Sequence, residues 1–425
     1  RLRLKNVGPA DHFELQFAPR LNLLTGDNGL GKSFLLDIAW WAMTRSWPAE
    51  LNKRLTNGLR ARPTQPDKPA EIDFFFTGKT KTENKFVSSY DRKSQAWSGK
   101  RGRPANPGLV LYAQADGGFA VWDPARNYWR KRGDVEVPDR PAAYVFSPKE
   151  VWDGLYDDER SPLCNGLIHD WAGWQKEKGT PFDILTKLVE RLSPSSSETI
   201  RPGELVRISL DDARDIPTLK MPYGQSVPIV HASSGIKRIV ALAYLLVWTW
   251  MEHLRAVELL GDVPTPQVVF LIDEIEAHLH PKWQRSIVRA LLHVMGALSQ
   301  DASVQLIVAT HSPLLLASVE PIFDEVSDAW FDLDFVDGKV VLERRPFVRL
   351  GDVSRWLTSD AFNLATARSL EAEQVLQDAA VALSDESFTA DKALEVDSKL
   401  RAFLSDTDPF WMRWRYVGEK RGWLK

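Results

Sequence analysis

Eight consecutive residues, Gly26-Asp27-Asn28-Gly29-Leu30-Gly31-Lys32-Ser33, fit the pattern Gly-x-x-x-x-Gly-Lys-Ser/Thr. Glycines let a backbone wrap so closely that several N–H groups point at phosphate oxygens. On this reading Gly26, Asn28, Gly29 and Gly31 shape a cradle for ATP. Lys32 reaches the β- and γ-phosphates as a point charge, and the Ser33 hydroxyl offers a ligand to Mg²⁺. A second constellation is Val268-Val-Phe-Leu-Ile-Asp273-Glu274, an apolar run that delivers two carboxylates to a strand end. Asp273 is expected to hold Mg²⁺ through water, and Glu274 to polarise the attacking water as general base. The alternative for Glu274 is a surface residue or a helix cap. His311, in Val308-Ala-Thr-His311-Ser-Pro, follows the next apolar run. There it could touch the γ-phosphate and position the water, although a lone histidine is more often structural. Ser233 and Gly235, in Ala232-Ser-Ser-Gly-Ile-Lys-Arg238, precede a long apolar stretch. A serine and a glycine at a helix start make either an ordinary N-cap or an anion site. The catalytic candidates are therefore Glu274, His311 and Lys32, and the metal candidates are Ser33 and Asp273.

These residues need strands and helices to position them. Alternating runs at Leu2 to Val7 and Phe13 to Phe17 read as strands. Leu21 to Leu24 reads as a buried strand feeding the glycine-rich turn. Residues 32–45 have helical spacing, with Phe34, Leu35, Ile38, Trp41 and Ala42 on one side. Residues 109–123 read as a hairpin turned by Asp116-Gly117-Gly118, which supplies positive φ. Residues 149–192, 234–260, 281–299 and 354–405 have helical patterns. Gln267 to Ile272 and Val304 to Ala309 are uninterrupted apolar runs, as parallel strands covered on both faces require. Residues 48–105 are polar, with one strand at Ile72 to Phe76. From Lys79 to Arg103 there are eight basic and two acidic residues. That stretch reads as a solvated loop or as a contact for nucleic acid or an acidic partner. No internal repeat or sustained heptad is present, so a long coiled-coil arm is not expected.

At 425 residues, two or three structural units are expected. The net charge of −3 argues against a dedicated non-specific nucleic-acid binder, though not against a local basic groove. The one cysteine, Cys164, cannot form an internal disulfide, which fits the cytoplasm, and it reads as a buried, inert thiol. The 17 tryptophans read mostly as core filler rather than base-stacking platforms. No run of ~18 apolar residues occurs, so no membrane span is expected. The start at Arg1 lacks the apolar core of a signal peptide, and a chain without an initiator Met reads as trimmed or processed.

The ordered set GDNGLGKS, ASSGIKR, VVFLIDE and ATHSP resembles the ABC-ATPase head of the RecF, SMC and OLD class, over roughly residues 1–45 and 225–345. The text Asp273-Glu-Ile-Glu-Ala-His-Leu-His-Pro281-Lys-Trp-Gln284 is similar to bacterial defence ATPases of the OLD-like group, including Septu-type PtuA proteins. The tail Asp408-Pro-Phe-Trp-Met-Arg-Trp414 is similar to the ends of such ATPases encoded beside HNH nucleases. The resemblance implies an α/β fold: an ABC-ATPase head with a mixed, largely parallel sheet flanked by helices. Residues 1–47 would carry the phosphate loop. Residues 48–230 would form an insert of antiparallel β and helical lobe, residues 231–350 would complete the ATPase, and residues 351–425 would be a helical region for partner or dimer contact.

The resemblance also implies a homodimer or higher oligomer in which two ATP molecules are sandwiched. Gly26 to Ser33 of one subunit would face Ser233 and Gly235 of another. Two functions compete: an ATPase that regulates an HNH-type nuclease partner in antiviral defence, and a RecF- or SMC-like repair ATPase acting directly on DNA. The second would draw on Lys100, Arg101 and Arg103. A transporter subunit does not suit the long insert or the DEIEAHLHP text. Departures exist. Ser234 and Ile236 stand where transporters have Gly and Gln. Gln114 is either the missing Q-loop residue or a plain hairpin residue. His278 and His280 read as part of an interface loop rather than a metal site. Asp332-Leu333-Asp334 is a D-x-D, but the helical pattern after 354 lacks the α/β alternation of a TOPRIM domain, so no nuclease activity is expected in this chain.

Overall fold

Strands that are apolar on both faces must be covered on both faces, and these lie at the centre of an eight-stranded sheet. In this computed structural model, residues 79–82, 100–102, 134, 139, 141–142, 158, 299–301, 386 and 424–425 lie outside the described residues. Lys100 and Arg101 are therefore among those not described. The sheet runs in the order Ala143–Phe146, Phe119–Trp122, Leu109–Ala113, Gln267–Ile272, Ser303–Ala309, Leu21–Gly26, Asp328–Val336, Lys339–Arg345. The five strands from Leu109–Ala113 to Asp328–Val336 are mutually parallel. Antiparallel hairpins close both edges. All ends that carry motifs, Gly26, Ala113, Ile272 and Ala309, are carboxyl ends of parallel strands, where open α/β sheets place ligands.

A second sheet is antiparallel throughout, in the order His12–Leu15, Leu2–Lys5, Glu71–Thr77, Glu83–Asp91, Ala96–Trp97. The helix Lys32–Thr44 shares one core with both sheets. Leu2, Leu4, Ile72 and Phe74 of the small sheet and Tyr112, Leu271, Ile307 and Ala309 of the large one belong to the cluster that holds Leu35, Ile38 and Trp40. Nine of the helix's 13 residues are buried. The one-sided pattern read from the sequence is therefore too narrow, and Phe34 is only partly buried.

The expected loop between Lys79 and Arg103 is instead largely the hairpin of Glu83–Asp91 and Ala96–Trp97. The helical stretch read over 149–192 is interrupted by the pair Leu155–Tyr156 and Pro162–Cys164. The expected hairpin at Leu109–Ala113 and Phe119–Trp122 forms, with Gly117 at φ 95°. Leu167–Glu177, Thr180–Arg191 and the 27-residue helix Ser234–Leu260 pack together, with Trp171 and Tyr244 fully buried among them. Cys164 is buried there beside the Tyr244 hydroxyl, and burial pushes its thiol up to about 12.

Chain contacts divide the molecule into Arg1–Gly351 and Asp352–Lys425. The second unit has its own core. The helices Leu370–Ser384, Ala390–Phe403 and Phe410–Lys420 close over Ala379, Leu400 and Trp414. The indole N–H of Trp414 donates to Asp397 at 3.0 Å. No helix among the described residues is long and apolar enough to cross a membrane.

Candidate nucleotide site

The Leu21–Gly26 strand hands over to the Lys32–Thr44 helix through a turn that needs glycine. Gly26, Gly29 and Gly31 have φ of 130°, 81° and 103°. A Cβ on Gly26 would run into the Leu333 carbonyl. Asp27, Asn28 and Gly29 are exposed at the tip. Lys32 is buried, and its ammonium donates to the carbonyls of Gly26 at 2.7 Å and Asp27 at 2.9 Å. Burial lowers its pKa to about 8, against the pull of Asp273, Glu276, Glu274 and Asp27.

Asp273 ends the Gln267–Ile272 strand, and its N–H donates to Ala113 O at 2.9 Å. The exposed Ser33 hydroxyl lies near its carboxylate and favours the ionised form. Burial pushes its pKa up to about 6, and Glu274 adds to the rise. Its Oδ1 is buried without a hydrogen-bond partner. A desolvated acceptor left open beside a serine hydroxyl is costly unless something fills it. This donor set of a carboxylate and a hydroxyl fits a hard divalent cation such as Mg²⁺. Glu274 follows in the left-handed region at φ 45°, an uncommon state for a residue with a side chain.

Glu276, which no motif singles out in the sequence, staples two strand ends together. One of its oxygens accepts from the Thr310 hydroxyl at 2.8 Å, and the other accepts from the His311 N–H. His311 is half-buried, and burial lowers its pKa, with Lys32 adding to that. A neutral imidazole at neutral pH follows. Ser312 caps the next helix through Leu315 N at 3.1 Å and donates to Gln284 at 2.7 Å.

Gln114 also lies on this edge, at the end of the parallel strand beside Gln267–Ile272. Its backbone closes the hairpin through Gly118, while both ends of its buried amide lack partners. Ser233, Ser234 and Gly235 begin the 27-residue helix, Ser233 exposed and making no cap bond with its side chain. Gly235 is buried, and a Cβ there would lie 2.5 Å from the His278 carbonyl. Among the described residues no hydrogen bond joins this helix start to the phosphate loop. Arg238 ties it instead to the acidic turn, donating to Ala115 O at 2.7 Å and to the carbonyls of Asp273 and Glu274 at 3.0 Å each. Neither Glu276 nor Arg238 has a motif signal beyond its place within DEIE and SGIKR.

His280 accepts from Lys282 N at 3.3 Å as a helix cap, and no cluster of metal-ligating residues occurs among the described residues. Asp332 is spent on structure: it accepts from Thr25 at 2.6 Å and pairs with Arg345 at 2.9 Å.

The family model described as "AAA domain, putative AbiEii toxin, Type IV TA system" matches residues 21–317. The chain belongs to this family. It is an ATPase of that family, and the phosphate loop, the acidic strand end and His311 all lie within the matched residues. It is similar to "Septu protein PtuA" of Bacillus thuringiensis, 20% identical over 96% of this chain and 94% of that one. It is also similar to "Retron Vc95 probable ATPase" of Vibrio cholerae serotype O1 biovar El Tor, 34% identical over 27% of this chain but only 20% of that one. Among solved structures, the SMC head domain from Thermotoga maritima aligns over 81% of this ATPase and 98% of that chain, with TM-score 0.38 and 14% identity.

Proposed function

We propose that this ATPase binds and hydrolyses ATP in a head-to-tail dimer and, through that cycle, regulates a partner nuclease of the HNH type in a cytoplasmic antiviral defence system. The observation that carries the hydrolytic part is the convergence of Lys32, Ser33, Asp273, Glu274 and His311 on one strand edge, with an unfilled carboxylate oxygen between them. Gly26, Asn28, Gly29 and Gly31 cradle the phosphates with backbone N–H groups. Lys32 exchanges its bonds to Gly26 and Asp27 for bonds to the β- and γ-phosphates. Ser33 and Asp273 would hold Mg²⁺, which when bound would neutralise phosphate charge. Glu274 accepts a proton from the attacking water, and neutral His311 fixes the γ-phosphate and that water. Gln114, with both amide ends open, serves as the polar group that completes this edge when nucleotide enters. Ser233 of one subunit donates to the γ-phosphate held by the other, while Gly235 permits the close helix start.

Lys32→Ala should weaken ATP binding, and Glu274→Gln should hold an ATP-bound dimer that is visible by size-exclusion chromatography with light scattering. Intact turnover in Glu274→Gln would refute the assignment of the base. The defence role is supported by full-length similarity to Septu protein PtuA. Copurification of a nuclease subunit from the native host tests it, and a chain that stays alone under all conditions counts against it. Cutting of DNA by the purified chain, lost in Asp332→Ala, would overturn the expectation that this chain is not itself a nuclease. The reading as a repair ATPase predicts ATP-dependent DNA binding that is lost on charge reversal of Lys100, Arg101 and Arg103.

A further inference from the structure

The helix that begins at Lys32 ends on an arginine that has no acidic partner among the described residues. Arg45 closes the helix in the left-handed conformation, at φ 62°, with its N–H on Trp41 O at 2.8 Å. Glycine is the usual residue at such a position, so a long side chain there is held at a conformational cost. Its guanidinium lies 4.3 Å from the ring centre of Phe86, 4.6 Å from Phe74 and 5.3 Å from Trp41. Nη1 is buried without an acceptor. Burial lowers its pKa to about 10, and no carboxylate opposes the shift. The helix dipole favours a cation here. It does not account for a buried N–H that lacks an acceptor.

That arginine faces a cavity of about 820 Å³, within the range of small-molecule sites. The exposed Lys85, Arg103 and Arg140 also line it, and Glu83 is the one acidic residue among its described lining. The half-buried Trp129 and an edge of the otherwise buried Trp122 also line it. Asn127, only 4% exposed, lines it too. Its carbonyl oxygen accepts from Trp129 Nε1 at 2.8 Å, while its amide nitrogen is buried with no partner. The cavity therefore combines a cationic side, a tryptophan in its lining and an open amide donor.

We propose that this cavity is a second nucleotide site, separate from the phosphate loop, which takes one phosphate-bearing nucleotide unit. The phosphate meets Arg45 and the basic rim. The base lies against the lining tryptophan, Trp129, with an acceptor toward Asn127. The unit is either a free nucleotide or the end of a single strand. The occupant would hold the far end of the helix that carries Lys32 and Ser33.

Isothermal titration of the full chain tests this. The probes are AMP, GMP, CMP, UMP, a 5′-phosphorylated trinucleotide and inorganic phosphate. The proteins are wild type, Lys32→Ala, Arg45→Gln and Lys85→Ala. At least one nucleotide probe should bind Lys32→Ala undiminished, about tenfold more weakly to Arg45→Gln and about threefold more weakly to Lys85→Ala. A tighter trinucleotide identifies a strand end and a tighter mononucleotide a free ligand; either upholds the site. Binding that vanishes in Lys32→Ala but persists in Arg45→Gln belongs to the phosphate loop and overturns the proposal. So does the absence of binding at millimolar concentration, or inorganic phosphate binding as tightly as the nucleotides. Thermal melting checks that Arg45→Gln folds. Should it not, Lys85→Ala combined with Arg103→Ala, both exposed positions, decides.

Discussion

Two aspartates of one sheet, Asp273 just past the end of Gln267–Ile272 and Asp332 within Asp328–Val336, have the same perturbation and opposite circumstances. Asp273 and Asp332 are both buried, and burial pushes each up to about 6. Asp332 has spent its oxygens on Thr25 and Arg345, so its position is settled within the fold. Asp273 keeps one buried oxygen without a partner beside Ser33. The shifted pKa alone does not separate a structural acid from one built to meet a ligand. The hydrogen-bond inventory does.

Substitutions can break or sharpen that contrast. The largest effect is expected at Glu274, next to the unfilled acid: Glu274→Gln should lower phosphate release by about 10²- to 10⁴-fold. Next is the pair itself. Asp273→Asn should abolish Mg²⁺-dependent turnover while leaving the melting temperature equal or higher. Asp332→Ala should remove the partner of the Thr25 hydroxyl and the nearer carboxylate of Arg345, which keeps Asp334 at 3.8 Å, and cost about 3 kcal/mol in chemical denaturation. A stability loss at Asp273 as large as that at Asp332 would dissolve the contrast. Glu276→Gln, which disturbs the staple to His311 without removing any proposed phosphate ligand, should slow turnover about tenfold with little change in KM.

The smallest effect concerns a third acid, the partly buried Asp37. Burial raises Asp37 to about 7, although it accepts from Tyr112 OH at 2.9 Å. A raised carboxyl is protonated in the native state where the unfolded chain is ionised. Stability should therefore fall as pH rises from about 4 to about 7 and level off above that. Asp37→Asn should flatten this dependence. Urea titrations should then show it more stable than wild type by at most about 4 kcal/mol above pH 7, with no difference near pH 4.

The chemical half of the site was legible because its parts are local. A phosphate loop is eight contiguous residues, and an apolar run ending in Asp273-Glu274 announces its own strand end. What joins those parts was not legible. Glu276 reaches Thr310 and His311 across 34 and 35 residues, and Arg238 reaches Glu274 across 36. No periodicity encodes such pairings. Gln114 stayed ambiguous for the same reason: only its parallel neighbour Gln267–Ile272 puts it on the ligand edge. The hairpin around Glu83–Asp91 is masked in the sequence by its charge, although its exposure alternates. Lys85 and Val87 face water there while Phe86 and Ser88 turn inward. The long helix from Ser234 and the helical end of the chain were readable, since each carries its apolar period within itself.

Arg238 has a consequence for how two sites in a dimer would communicate. It fastens the start of the Ser234–Leu260 helix to the carbonyls of Asp273 and Glu274. In the proposed assembly, that helix start touches the nucleotide held by the neighbour, and the acidic turn serves the chain's own. One guanidinium thus makes sensing the neighbour's nucleotide and placing the local base the same displacement. Linkage then requires the influence to run equally in both directions. Hydrolysis should show a Hill coefficient above one in ATP, falling toward one when Arg238 is replaced by lysine, which cannot bridge three carbonyls at once.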